Sequence, residues 1–488
     1  MTRELEHTLL LKLSSESGGR DYIIVKESWK ECKKLWQIAA PSIFCRLAMF
    51  SLTLITQSFA GHLGQTQLAA ISIATTVIIS ITFGFLLGMA SALETLCGQA
   101  YGGKQYHMLG IYLQRSWVVL FLSSIFLLPL FIFAEPILKL IGQPMELAEM
   151  TGQLAMWLIP MHLSFVFQFT LMRFLQCQLK TSVVAWVSGG VLLVHVLLSW
   201  IFVYKMRVGI IGIALTLDFS WWMSVWGLFI YSVCGSCHHS WTGFSWEAFA
   251  GLWEFFKLSL ASGVMLSLEN FYYRILIIVS GVKSAEVAVD ALSICISFYG
   301  WESMIPLGLF AATGVRVANE IGAGNGNSAK FAAKISVCNS LIIGLVFFSI
   351  VISVPDKIAM IFTSSLSVIT MVEELAMLLA ITILSNCIQP ILSGVAVGSG
   401  WQGLVAYINI GSYYFFGVPL GIILGWYFHF GFEGIWAGMI CGTMIQTLIL
   451  TIIAIRFPWE NEVKFHQTIL RPQAKDEETT QSNEVKKD

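Results

Sequence analysis

Apolar runs of about 20 residues, separated by short polar gaps, recur along the chain from residue 36 to residue 455. About 20 helical residues at 1.5 Å each cross a hydrocarbon layer ~30 Å thick, so every run predicts a membrane-spanning helix. Twelve are predicted, approximately over 36–59, 68–92, 110–134, 150–172, 182–204, 210–233, 258–280, 287–314, 332–354, 370–397, 404–427 and 433–455. Strand-type alternation in ten-residue segments is missing, so the spanning elements are expected to be helices and not the strands of a barrel.

Composition supports this reading and removes others. Hydrophobic residues make up 56% of the chain and charged residues 12%, with a mean hydropathy of +0.76. A water-facing surface needs roughly 25% charged residues, so a soluble enzyme, a nucleic-acid binder and a disordered scaffold are excluded. The 28 basic and 29 acidic residues nearly cancel, leaving no global field that would draw nucleic acid. The ten cysteines lie mostly in or beside apolar stretches, as small hydrophobes, and no disulfide framework is read. Residues 1–33 lack the apolar core and cleavage site of a secretory signal, so the first span is expected to drive insertion. No GxxxxGK[ST] string occurs, and ATP is not an expected partner.

Retained loops carry the Lys and Arg excess, which orients the bundle. With both termini in the cytoplasm, 21 basic residues fall inside and 5 outside, and Arg46 and Arg274 lie within spans. The loop with Lys205 and Arg207 runs against the bias. Cys234, Cys237, His238 and His239 superficially match a haem-attachment string or half a zinc site. The same bias puts their loop in the cytoplasm and no second ligand pair follows, so no metal site and no cofactor is expected.

The chain also contains itself twice. Leu68 to Ile73 matches Val289 to Ile294 at a shift of 221, and Gly88 and Gly102 fall on Gly308 and Gly322 at 220. Val184 falls on Val405 at 221, and Gly209 to Ile213 on Gly431 to Ile435 at 222. Six spans per half is an even number, so both halves start on the same side and the pseudo-twofold axis runs along the membrane normal. The fold class expected is an all-α membrane protein of twelve transmembrane helices in two six-helix lobes. A cytoplasmic tail (1–33), an N-lobe (34–235), a linker (236–257), a C-lobe (258–456) and a second tail (457–488) are the expected divisions. A static bundle that kept its ancestral symmetry is one explanation. A secondary transporter that rocks two lobes about a midplane site is the sharper one.

A charge at a helix centre costs ~2.5 to 3.5 kcal/mol, so each needs a partner, a watery cavity or a proton. Glu269 lies 12 residues past Lys257, about mid-bilayer, in apolar and aromatic surroundings that penalise its charged form, as a proton carrier requires. A permanently paired structural Glu is the alternative. Arg46 is the corresponding charge in the first half, 12 residues past Lys34, and two pairings are open to it, with Glu269 across a shared cleft or with Asp218 in its own lobe. Asp218 and His195 form a candidate proton path, although a lone His in an apolar span is more often a satisfied core residue. Glu302 is a weaker cleft candidate, and Asn270, Tyr273, Tyr299 and Trp301 add polar or aromatic surface suited to a flat organic substrate, although lipid-facing aromatics are the commoner case. Glu94, Gln99, Arg115, Arg316 and Glu320 cluster at the cytoplasmic ends of spans two, three and eight, where bracing or gating is expected. Pro41, Pro160, Pro306, Pro390 and Pro419 mark possible kinks.

The stretches GMASALETLCGQAYG (88–102), GIYLQRSW (110–117), TQSFAGHLG (56–64), VRVANEIGAG (315–324) and LSGVAVGSGWQ (392–402) closely resemble the plant branch of the multidrug and toxic compound extrusion (MATE) family. The resemblance covers about residues 34–456. It implies a two-lobe carrier that exports organic solutes in exchange for protons, or for sodium in some branches, and it matches Glu269 to the family's acidic residue in helix seven. Two departures matter. Asn386 stands where many eukaryotic members have a second carboxylate, and Ser297 where some animal members have an acid. One clear carboxylate favours one proton per cycle, and Asn386 and Gln389 suit a neutral or anionic polyphenol glycoside. A proton-coupled antiporter of secondary metabolites such as flavonoid glycosides, or of xenobiotics, is therefore expected, as a monomer in the vacuolar or plasma membrane, with lipid around it and no reaction catalysed. The rival is a passive anion (chloride) channel or uniporter of the same fold.

Overall fold

The computed structural model describes the backbone of residues 2–280, 286–461 and 463, and the side chains of 25–272, 287–288, 290–461 and 463. The first helix runs Thr2–Leu63, and its stretch Val25–Leu63 (α1) is long and apolar enough to span a bilayer. Nine further spans are α2 (Gln65–Gly102), α3 (Met108–Ile132), α5 (Thr181–Lys205), α6 (Ile210–Cys234), α8 (Asp290–Gly322), α9 (Gly326–Ser353), α10 (Leu366–Ser399), α11 (Gln402–Tyr427) and α12 (Gly431–Arg456). The broken span α4 (Met145–Trp157 with Ile159–Cys177) and α7 (Leu252–Ser280) complete the twelve.

All twelve predicted runs fall on these helices, but α2 and α8 continue well past their apolar stretches, to Gly102 and Gly322. The extensions carry Glu94, Gln99 and Arg316, which interrupt the hydrophobic pattern yet are buried against the opposite lobe. Burial on protein, and not on lipid, is what the hydropathy pattern cannot distinguish. The fourth span bends by 46° at Leu158. Pro160 follows directly and has no N–H to donate, so the helix restarts there. The exposed end is capped by Asp218, whose Oδ1 accepts the Met161 amide at 2.9 Å. A second break, at Ser303, divides α8 into Glu286–Glu302 and Met304–Gly322, with Pro306 in the first turn of the second piece.

The repeat is a physical symmetry. Within the lobes α1 packs on α5 as α7 packs on α11, and α2 on α4 as α8 on α10. Between them α1 meets α8, α2 meets α7, and α2 meets α8. Left-handed backbone positions recur in step: Lys104 (φ 60°) with Gly324 (φ 85°), Leu179 (φ 61°) with Gly400 (φ 84°), Arg207 (φ 52°) with His429 (φ 59°), and Gly209 (φ 73°) with Gly431 (φ 60°). The same turns are built twice, sometimes on glycine and sometimes on a residue that tolerates the conformation poorly.

The lobes close on each other at one end. Gly88 packs on Gly263 while Gly308 packs on Ile43, the same contact seen from either side of the axis. Gly102 lies against Asn319 and Gly322 against Gln99, again a reciprocal pair. The start of α1 and the segment after α12 lie at this end, Glu31 paired with Arg316 and Trp459 against Gly326. Away from it, the Gln65–Ile79 part of α2 packs chiefly on α1 and α4, and Glu286–Glu302 chiefly on α10. The two lobes thus keep to themselves at the far end.

Candidate functional site

Glu269 projects from α7 into a cluster of neutral donors inside its own lobe. Gln389 Nε2 (2.8 Å) and Ser393 Oγ (3.1 Å) on α10, and Asn409 Nδ2 (3.2 Å) on α11, all donate to its Oε1. Gln446 of α12 continues the network, donating to Asn409 Oδ1 at 3.0 Å. Three helices, α7, α10 and α11, therefore meet at one carboxylate oxygen, with α12 one bond further out. No cation within ion-pair distance was found among the described residues, and Glu269 is only partly buried. Charge-assisted hydrogen bonds from neutral donors can hold a carboxylate without fixing its protonation as a guanidinium would.

Of the other candidates on this side, Gln389 belongs to the cluster and Asn386 does not. Asn386 is buried one turn earlier on α10 and makes no hydrogen bond to Glu269. Asn270 donates to its own helix at Leu266 O (2.9 Å) and lies against Gly84 of the N-lobe, so it sits at the lobe boundary. Tyr299 packs on the C-lobe core, and Trp301 is half exposed. Tyr273 and Arg274 lie on α7, with side chains outside the described residues. Glu302 does not line a cleft: it is wholly buried at the α8 break, its Oε1 accepting from Cys387 Sγ at 3.4 Å and its Oε2 meeting no donor. Ser393, Asn409 and Gln446 were missed by sequence reasoning, though Ser393 stands in the 392–402 motif.

Arg46 does not pair with Glu269 or with Asp218. It is buried in the N-lobe (6% exposed), within electrostatic range of Arg173 and Glu94, and makes no hydrogen bond or ion pair among the described residues. Glu94 Oε2 instead meets Arg173 Nη1 at 2.6 Å, both side chains wholly buried. Asp218 and His195 are likewise separate: no hydrogen bond joins them. His195 is a sealed core residue whose ring nitrogens face Thr56 (3.1 Å) and Ser220 (2.9 Å).

The residues expected to brace the closed end are spread between two jobs. Arg316 joins the lobes, its Nη2 holding Glu31 Oε1 and Glu320 Oε1 at 2.6 Å each. Gln99 Nε2 donates to Gly398 O at 3.2 Å, and Thr95 Oγ1 to Val397 O at 2.5 Å, tying α2 to α10. Arg115 serves elsewhere, donating to Glu247 O (3.2 Å) in the segment that links α6 to α7. Among the described residues, no group of three or more His, Cys, Asp or Glu could hold a metal.

Comparison with known proteins agrees with this architecture. The MatE family profile matches residues 41–201 and 261–423, one segment in each half. Protein DETOXIFICATION 27 of Arabidopsis thaliana is 56% identical over 449 residues, covering 92% of this chain and 91% of that protein. Protein DETOXIFICATION 26 of the same plant is 55% identical over 460 residues, covering 94% and 93%. The crystal structure of a eukaryotic MATE transporter, AtDTX14, superposes with a TM-score of 0.83 at 34% identity, over 90% of this chain and 98% of that one.

Proposed function

The chain belongs to the MatE family of membrane transporters, and from that premise we propose that it exports organic solutes from the cytosol in exchange for protons, with Glu269 as the proton-carrying group. The observation that carries this reading is the setting of Glu269, a carboxylate deep in a spanning helix that holds three neutral donors and, among the described residues, no cation. Such a group can take up and release a proton without first breaking an ion pair.

Its partners also give protonation a mechanical consequence. As a carboxylate, Glu269 accepts charge-assisted bonds from α10 and α11 on a single oxygen. Adding a proton removes that charge, roughly halves the strength of those bonds and loosens α7 against both helices. Lobes that pack through glycine at one end and stand apart at the other can then rock, so that the proton enters from the far side and is released at the closed end once that end opens. Placing the closed end and both termini in the cytoplasm follows the basic-residue bias.

Plant secondary metabolites such as flavonoid glycosides, or xenobiotics, are the proposed cargo, and the vacuolar or plasma membrane the proposed location. A single chain holds both lobes, so a monomer suffices, with protons as the coupling ion and no further cofactor. Uptake of candidate solutes into proteoliposomes under an imposed pH difference tests the reading. Uptake that persists unchanged when the gradient is collapsed would overturn it.

A further inference from the structure

We propose that the N-lobe carries an oxyanion-binding site at Arg46 and Arg173, which would receive a carboxylate or sulfate group. The argument is an imbalance of charge, two cations to one carboxylate, together with guanidinium donors that nothing claims. Two guanidinium groups share one carboxylate, that of Glu94, whose Oε2 lies 2.6 Å from Arg173 Nη1 with both residues wholly buried, while its Oε1 is enclosed without a hydrogen-bond partner. Arg46, which feels Glu94 less strongly than Arg173 does, is left with no hydrogen bond or ion pair among the described residues while only 6% exposed. Arg173 is itself only part-satisfied, for its Nε and Nη2 are enclosed and meet no acceptor. Its Nη1 has only a long contact to Gln176 Oε1 (3.4 Å) besides Glu94.

A buried cation without a counter-charge is costly, and unclaimed guanidinium donors add to that cost. An anion with two or more acceptor oxygens answers both needs, because the planar fork of a guanidinium matches a carboxylate or sulfate bidentately. The position also suits a carrier. Arg173 lies over the Phe310 ring of the C-lobe (5.8 Å to its centroid), and Glu94 packs against Gly314 on the same helix. The other lobe is therefore the lid of this site, and the movement that parts the lobes uncovers it. Glu269 in one lobe and the arginines in the other give the two halves opposite polarity.

This deepens the exchange reading by assigning a charge to the cargo, and rests on that reading only for its role in transport. The oxyanion could be free in solution or part of an organic solute. The test is binding without a gradient. The purified full chain is titrated with sodium benzoate, sodium sulfate or uncharged benzamide at fixed ionic strength, and its unfolding temperature is read by tryptophan fluorescence. Benzoate should raise it saturably and benzamide should not. An equal effect of sulfate assigns the site to oxyanions at large, and an effect of benzoate alone to organic carboxylates. Arg46→Gln should raise the half-saturating concentration at least about tenfold. If Arg46→Gln does not fold, Arg46→Lys carries the test, with an expected rise of about threefold or more because the fork is lost. No saturable effect of either anion beyond benzamide, or one that survives the Arg46 change, overturns the site. Because no proton gradient is involved, that outcome is separable from a failure of coupling at Glu269.

Discussion

Gly98 faces Ala318 across the lobe boundary, and the two occupy the same place in the two repeats. Only positions on the symmetry axis can touch their own counterparts, so the axis passes between them. A Cβ on Gly98 would come 2.5 Å from that of Ala318, closer than real side chains approach. Gly98→Leu must therefore push the closed end apart. Cys177, wholly buried near this seam, should then react with a membrane-permeant thiol reagent at least about tenfold faster, as expected of a locally opened segment. Site-resolved mass spectrometry measures this, and unchanged protection would remove the proposed contact.

Glu269→Gln keeps the size and hydrogen-bonding capacity of the side chain but cannot carry a proton. Gradient-driven uptake into proteoliposomes should fall to the level seen without a gradient, while the variant elutes normally on size-exclusion chromatography. Full activity in that variant would exclude Glu269 as the carrier.

Arg316 is the cation between Glu31 and Glu320, so Arg316→Gln leaves two carboxylates facing each other at the lobe boundary. Breaking a buried pair from one side costs about 3 kcal/mol, and the unfolding temperature should drop accordingly. Pairing Arg316→Gln with Glu31→Gln should recover part of the loss. A double variant less stable than Arg316→Gln alone would contradict this.

Lys104 and Leu179 hold the left-handed conformation that their counterparts Gly324 and Gly400 provide without strain. Relief of ~1 kcal/mol, offset by roughly 0.5 kcal/mol of lost glycine freedom, leaves a small gain. Leu179→Gly and Lys104→Gly should each raise the unfolding temperature slightly, and Gly400→Leu should lower it. The opposite order in calorimetry would show that the turns are not shared between the repeats.

Much of this was legible in the sequence because the membrane enforces a simple code. Twelve apolar runs and the repeat predicted the fold, and Glu269 was conspicuous as a carboxyl far inside such a run. Its partners were not, because an isolated Ser393, Asn409 or Gln446 does not declare which way it faces. The pairing of Arg46 with Glu269 failed for the same reason. Equal depth along the normal is readable from residue counting, but rotation about the helix axis is set by packing, and Arg46 turns into its own lobe. Glu302 was misplaced because the break at Ser303, signalled only by Pro306, buries its carboxyl at a helix junction.

Glu94 rests against Gly314, and these too are counterparts in the repeat. One ancestral position has become an acid in the first copy and an empty notch in the second. A chain assembled from two first halves would press two carboxylates together on the axis, and one from two second halves would leave a hollow there. The halves are thus a left glove and a right glove, each shaped to the other and not to a copy of itself.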